Sequence, residues 1–143
     1  MNEAQPRRPR RILRSIAALF AGFVVVVVLS LGTDLVLHAT SVFPAWGEPM
    51  SDALFLLATA YRTAYGVLGG YLTARLAPYA PMKHALAGGL VGLVLSTIGA
   101  VATWDKGPEF GPHWYPLALV ATALPCAWAG GRLRTLQLPD DQR

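Results

Sequence analysis

An all-α integral membrane bundle of four spanning helices is the fold class this sequence predicts, and three observations predict it. Of its 143 residues, 54% are hydrophobic and only 14% carry charge, against roughly 25% charged in soluble domains. Apolar runs of spanning length recur along the chain, each near the roughly 20 residues needed to cross a hydrocarbon core. Arginine and lysine gather at alternate ends of those runs, the asymmetry expected of cytoplasmic loops. So many spans in so short a chain leave no room for a soluble catalytic module, so a single domain is expected.

A basic tail, residues 1–11, opens the chain with RRPRR. The first span, 12–37, follows it in the manner of a signal peptide. Its apolar run is longer than a usual signal core, however, and Leu37 occupies the small-residue position before Ala39, so an uncleaved anchor is expected. Further spans are read at 52–76, 84–104 and 114–133, with a short tail at 134–143. Arg7, Arg8, Arg10, Arg11 and Arg14 precede span one, Arg75 and Lys83 lie between spans two and three, and Arg132, Arg134 and Arg143 follow span four. The opposite loops, TSVFPAWGEPMS and DKGPEFGPH, hold one basic residue, Lys106. Both termini are therefore expected on the cytoplasmic side. Trp46, Trp104 and Trp114 fall near the outer interface and read as anchors, or as part of a small outward-facing binding surface.

The net charge of +4 does not indicate nucleic acid, because the basic residues sit at helix ends instead of forming a face with interleaved aromatics. A lone Cys126 forms no intramolecular disulfide and reads as a small apolar residue. Expected partners are the lipid bilayer and either further copies of the chain or other membrane proteins. Lipid supplies little hydrophobic drive between helices, so small-residue pairs mark contacts. Gly66 with Gly70, Gly88 with Gly92, Ala18 with Gly22 and Ala127 with Gly131 have that spacing. An offset of 67 aligns ALFAGFVVVVVLSLGT with ALAGGLVGLVLSTIGA at 6 of 16 positions, pairing Gly22 with Gly89 and Gly32 with Gly99. These matches raise the hypothesis of two repeated helical hairpins in parallel.

Within LFLLATAYRTAYGVLGGYL, Arg62 places a permanent charge about 15 Å below the start of its helix, near mid-membrane. At about 100° per residue, Thr59, Arg62, Gly66, Gly69 and Thr73 share one side, so Arg62 should face the bundle. An unpaired charge at that depth costs several kcal/mol or more, so a partner is expected. Asp34 is the candidate, on a stripe with Ser30 and His38 at spacings of four. Its backbone lies roughly 10 Å higher than that of Arg62, a gap a long side chain rising outward would largely close. A second source of acceptors is the Ala121 carbonyl, left without its usual helix bond by Pro125. The polar set Asp34, Arg62, His38, Ser30 and Thr59 reads either as a structural ion pair that fixes register or as a substrate or proton site opening outward. Proton coupling through Asp34 or His38 fits the second reading, whereas an arginine stays charged.

His38 and His113 both fall near the outer surface, but two ligands on separate elements make a poor metal or haem site. No Walker loop, HExxH, GxSxG or CxxC occurs. No catalytic residue, metal or cofactor is expected, and an enzyme is the least favoured class.

The chain resembles a group of short bacterial four-span membrane proteins to which no activity is assigned. The likeness covers residues 15–133 and rests on GTDLVLHATSVFPAWGEPMSD, TAYRTAYGVLGGYLTARLAP, PMKHAL and KGPEFGPHWYPLA. It implies a membrane location and four helices, and brings no chemistry with it. The leading expectation is thus a structural or accessory membrane bundle, acting as a homo-oligomer or as a subunit of a membrane assembly. The alternative is a small transporter or ligand-binding protein that uses the Asp34, His38 and Arg62 cluster.

Overall fold

The computed structural model describes residues 7–139, with side chains from residue 9 onward. It is all-helical: α1 (Arg7–Ala39), α2 (Asp52–Leu76), α3 (Pro81–Thr103) and α4 (Trp114–Leu136), with a short 3-10 turn, Pro108–Phe110, between the last two. No strand occurs among the described residues. Successive helices run antiparallel. The α1–α2 and α3–α4 loops therefore share one end of the bundle, here the loop end, and the start of α1 and the end of α4 lie at the other, the terminus end, with the α2–α3 turn.

Helix α2 begins and ends where the sequence places its span, since Ser51 precedes it in extended backbone and the prolines of the following turn stop it. Helix α4 also begins at Trp114, as read; the remaining boundaries differ. Residues 7–11, read as tail, are the first turns of α1, arginine being a good helix former. Helix α3 starts at Pro81 instead of His84, because a proline suits the first helical turn, where its missing N–H costs nothing. Helix α4 continues past Leu133 to Leu136. Residues 1–6 and Arg143 lie outside the described residues.

The interior is built of small residues. Ala18, Ala58, Ala74, Ala85, Ala100, Cys126 and Ala127 are buried, as are Gly69, Gly70, Gly89, Gly130 and Gly131. Of the larger apolar residues among those described, only Phe43 and Phe55 join them, while Val101 is 73% and Phe20 66% exposed. This reverses the distribution of a water-soluble domain, whose leucines, isoleucines, valines and phenylalanines fill the inside. Two helices, α1 over Pro9–Ala39 and α3, are long and apolar enough to cross a membrane.

Glycine sets how closely the helices approach. A Cβ on Gly70 would stand 2.9 Å from both the Cα and the carbonyl oxygen of Ala127, and one on Gly130 would strike the backbone of Val67, Gly70 and Tyr71. Helices α2 and α4 are therefore in backbone contact, the α2 side of which includes Gly66 opposite Cys126. Gly22 meets Gly69 and Thr73 between α1 and α2, while Gly89 meets Ala127 and Leu124 between α3 and α4. Each hairpin thus closes on itself, and the two join mainly through α2 and α4. Gly88 lies 3.6 Å from Leu19 by the same measure, a looser fit. Gly92 is a correction: nothing lies within 4 Å of the added carbon, so it packs against no helix of its own chain. The reason is that α1 and α3 touch only toward the terminus end, where His84 Nε2 and Ser15 Oγ are 2.9 Å apart, and diverge above it.

Candidate functional site

Asp34 lies on α1, a little over one turn before the helix ends, and is buried. Adjacent residues of α2 occupy its two carboxylate oxygens. The Tyr61 hydroxyl donates to Oδ1, and Arg62 Nη2 donates to Oδ2 at 2.5 Å. Along the same two helices Gly22 meets Gly69 and Thr73, and Thr33 meets Tyr65, which sets Asp34 close to the level of Tyr61 and Arg62, so the expected difference in backbone height is not found. This is the one ion pair among the described residues. No hydrogen bond runs from Arg62 to the Ala121 carbonyl; Asp34 takes that role.

Aromatic rings flank the guanidinium: its carbon stands 5.7 Å from the Tyr61 ring centre and 5.8 Å from that of Tyr115 on α4. Tyr115 in turn packs on Phe55, with centroids 4.9 Å apart. A second polar link between α1 and α2 joins the Thr33 and Tyr65 hydroxyls at 2.9 Å. Three helices thereby converge on one balanced pair of charges.

His38 faces the same region without touching the ion pair. Its Nδ1 lies 2.8 Å from the Asp34 carbonyl oxygen one turn back, and its ring stacks on Trp46 at 3.6 Å. Phe43 meets that ring edge-on at 5.3 Å. The left-handed backbone at Ser41 and the bonds from Val42 and Phe43 N–H to the Leu37 carbonyl turn the chain back over the helix end. The second loop closes likewise, with His113 stacked on Trp104 at 4.3 Å and its Nε2 3.0 Å from the Trp104 carbonyl oxygen. Each histidine is thus turned to its own tryptophan. No group of three metal-binding side chains occurs among the described residues. Trp114 lies edge-on to Tyr115.

Two cavities meet at Arg62. One, of about 210 Å³, is lined by Asp34, His38, Trp46, Arg62 and Tyr115, with the acids Glu48 and Glu109 at its rim. The other, of about 500 Å³, is largely apolar and runs from Arg62 and Ser30 toward the terminus end, floored by Gly66, Gly69 and Thr73. Asp34, Arg62 and His38 therefore line one pocket. Ser30 belongs to the second cavity instead, and the Thr59 hydroxyl is spent on the Phe55 carbonyl of its own helix at 2.9 Å. The sequence alone does not single out Tyr61 and Tyr115, because an acid is the expected partner of Arg62. The adjacency of Tyr61 to Arg62 was the available signal.

Chemically, the arrangement holds a neutralised carboxylate and a guanidinium that spends one of its five N–H groups on Asp34. It offers hydrogen-bond donors to both cavities. Compared with known protein families, with curated proteins and with solved structures, the chain has no match.

Proposed function

We propose that this chain is a four-span protein of the bacterial inner membrane, an accessory bundle that assembles with further copies or with other membrane proteins and performs no chemistry of its own. The observation that carries this reading is the inverted burial: glycine and alanine inside, leucine, valine, isoleucine and phenylalanine outside. In water those side chains would each forfeit about 1.5–3 kcal/mol of burial, whereas in lipid they lie in a matching solvent. Helices α2 and α4 are as long as α3 to within two residues. The charge α2 carries at depth, Arg62, is balanced by Asp34. The basic residues at the terminus end, from Arg10 to Arg134, support cytoplasmic termini, and the resemblance to short bacterial four-span proteins supports the location.

A hairpin repeat is part of this proposal. Gly22 and Gly89, matched by the 67-residue offset, each pack on the second helix of their own hairpin, and Gly32 and Gly99, matched likewise, each face open space. Those open glycines supply the surface for contacts between chains. Within the bundle, Asp34, Tyr61 and Arg62 act as a clamp that sets the register of α1 against α2.

Alkaline carbonate extraction separates embedded from adherent protein. The chain is expected to stay in the membrane pellet and to enter solution only with detergent. Release by carbonate alone would overturn the reading.

A second reading, ligand binding at the polar cluster, is favoured by one observation: Arg62 lines both cavities with most of its donors unspent.

A further inference from the structure

The larger cavity is a gap between α1 and α3. These helices touch near Ser15 and His84 and then diverge, leaving a cleft whose rim consists of exposed apolar residues, Phe20 and Phe23 on one side, Val91 and Leu95 on the other. Its volume, about 500 Å³, falls in the range of pockets that enclose a small organic molecule. One charged side chain lines it, Arg62, at the end toward the loops.

The chemistry of that end narrows the occupant. Arg62 already shares a hydrogen bond with Asp34, so its charge is balanced, and Glu48 and Glu109 stand at the rim of the neighbouring pocket. An anion would be held by no net charge and repelled by the two further carboxylates. A neutral acceptor such as a carbonyl oxygen uses the unspent N–H groups without that cost. Depth narrows it further. Counting from Asp52 places Arg62 about 15 Å into the helix, near mid-membrane. The phosphate headgroup of a bilayer lipid would have to enter the hydrocarbon to bring its ester carbonyls that far, whereas a headgroup-free molecule resides there.

We propose that the α1–α3 cleft binds a headgroup-free, lipid-soluble carbonyl compound of the quinone type, its apolar tail along the glycine floor and a carbonyl oxygen accepting from Arg62. This rests on the membrane-spanning reading above. The molecule enters sideways from the bilayer, between Phe23 and Leu95, whose side chains line the cleft and are exposed.

Cys126 lines the cleft and is the only cysteine of the chain, which makes it a built-in reporter. The detergent-purified protein is alkylated with N-ethylmaleimide, followed by intact mass, with and without a fully ring-substituted 1,4-benzoquinone bearing a decyl chain. At a quinone concentration ten times the dissociation constant, the rate should fall about tenfold. Decylbenzene, which has the chain and no carbonyl, should leave it unchanged. Gly92→Leu fills the cleft from a position where an added carbon meets nothing, and should abolish the effect of quinone without lowering the unfolding temperature. Gly32→Leu, equally open but outside the cleft, should preserve it.

Protection by decylbenzene equal to that by quinone would overturn the role given to Arg62, and protection by a dioleoyl phospholipid but not by quinone would overturn the ligand class. Alkylation that slows with protein concentration alone, and no longer does so in Gly92→Leu, would mean that a second copy fills the cleft. No protection of a protein that needed detergent for extraction defeats this inference and leaves the membrane reading standing. A protein soluble without detergent defeats both.

Discussion

Replacing Gly130 with alanine is expected to destabilise the bundle by about 2–3 kcal/mol, the upper part of what overpacking a core costs. The same change in an open helix would stabilise it by about 1 kcal/mol, since glycine is a poor helix former, so the sign itself is diagnostic. The new methyl would stand 2.8 Å from the carbonyl carbon of Gly70 and closer still to Val67 O and Tyr71 N. All three are backbone atoms, which do not rotate aside as a side chain would. Helices α2 and α4 must separate, and with them the contact that joins the two hairpins. Gly99→Ala and Gly32→Ala, which meet nothing, should instead stabilise by up to about 1 kcal/mol. Unfolding in mixed detergent with increasing dodecyl sulfate ranks the variants. A Gly130→Ala protein as stable as Gly99→Ala would place α2 and α4 further apart than described.

The second large effect concerns Asp34 and Arg62. Asp34→Asn leaves the guanidinium without a counter-charge, and Arg62→Gln leaves the carboxylate without one. Each should cost about 3–5 kcal/mol, the usual consequence of stranding one partner of a buried pair. The double replacement removes both charges and keeps polar groups that still hydrogen-bond to each other and to Tyr61. It should therefore accumulate in the membrane and resist unfolding better than either single variant, a coupling of the kind that double-mutant cycles isolate. A double variant no better than the worse single one would show that the two charges do not depend on each other.

How far the sequence went depends on which question was put to it. Helix α2 was legible to the residue because Ser51 and Pro78 punctuate it, whereas α1 ran further than read because arginine, taken as a tail marker, also propagates a helix. The meeting of Asp34 with Arg62 was legible by elimination, as few acids fall inside the apolar runs. The place of Tyr61 and Tyr115 around them was not. A helix's own periodicity says which residues share a side, and nothing about which neighbour that side meets. Gly92 fails for the same reason. Its spacing from Gly88 marks a smooth helix face, but α1 has diverged by that height and leaves the face uncovered. The cleft follows from that divergence, a property of two helices with no signature in either.

The four-span account is tested most directly by single-cysteine accessibility in a Cys126→Ala background. Cysteines at Glu48 and Asp105, in the two loops of one end, and at Tyr79 and Gln137, at the other, all replace exposed residues. In intact cells a membrane-impermeant maleimide should label the first two and reach the second two only after lysis. Labelling of positions 48 and 79 from the same side would contradict the account, because α2, which separates them, would then not cross the membrane.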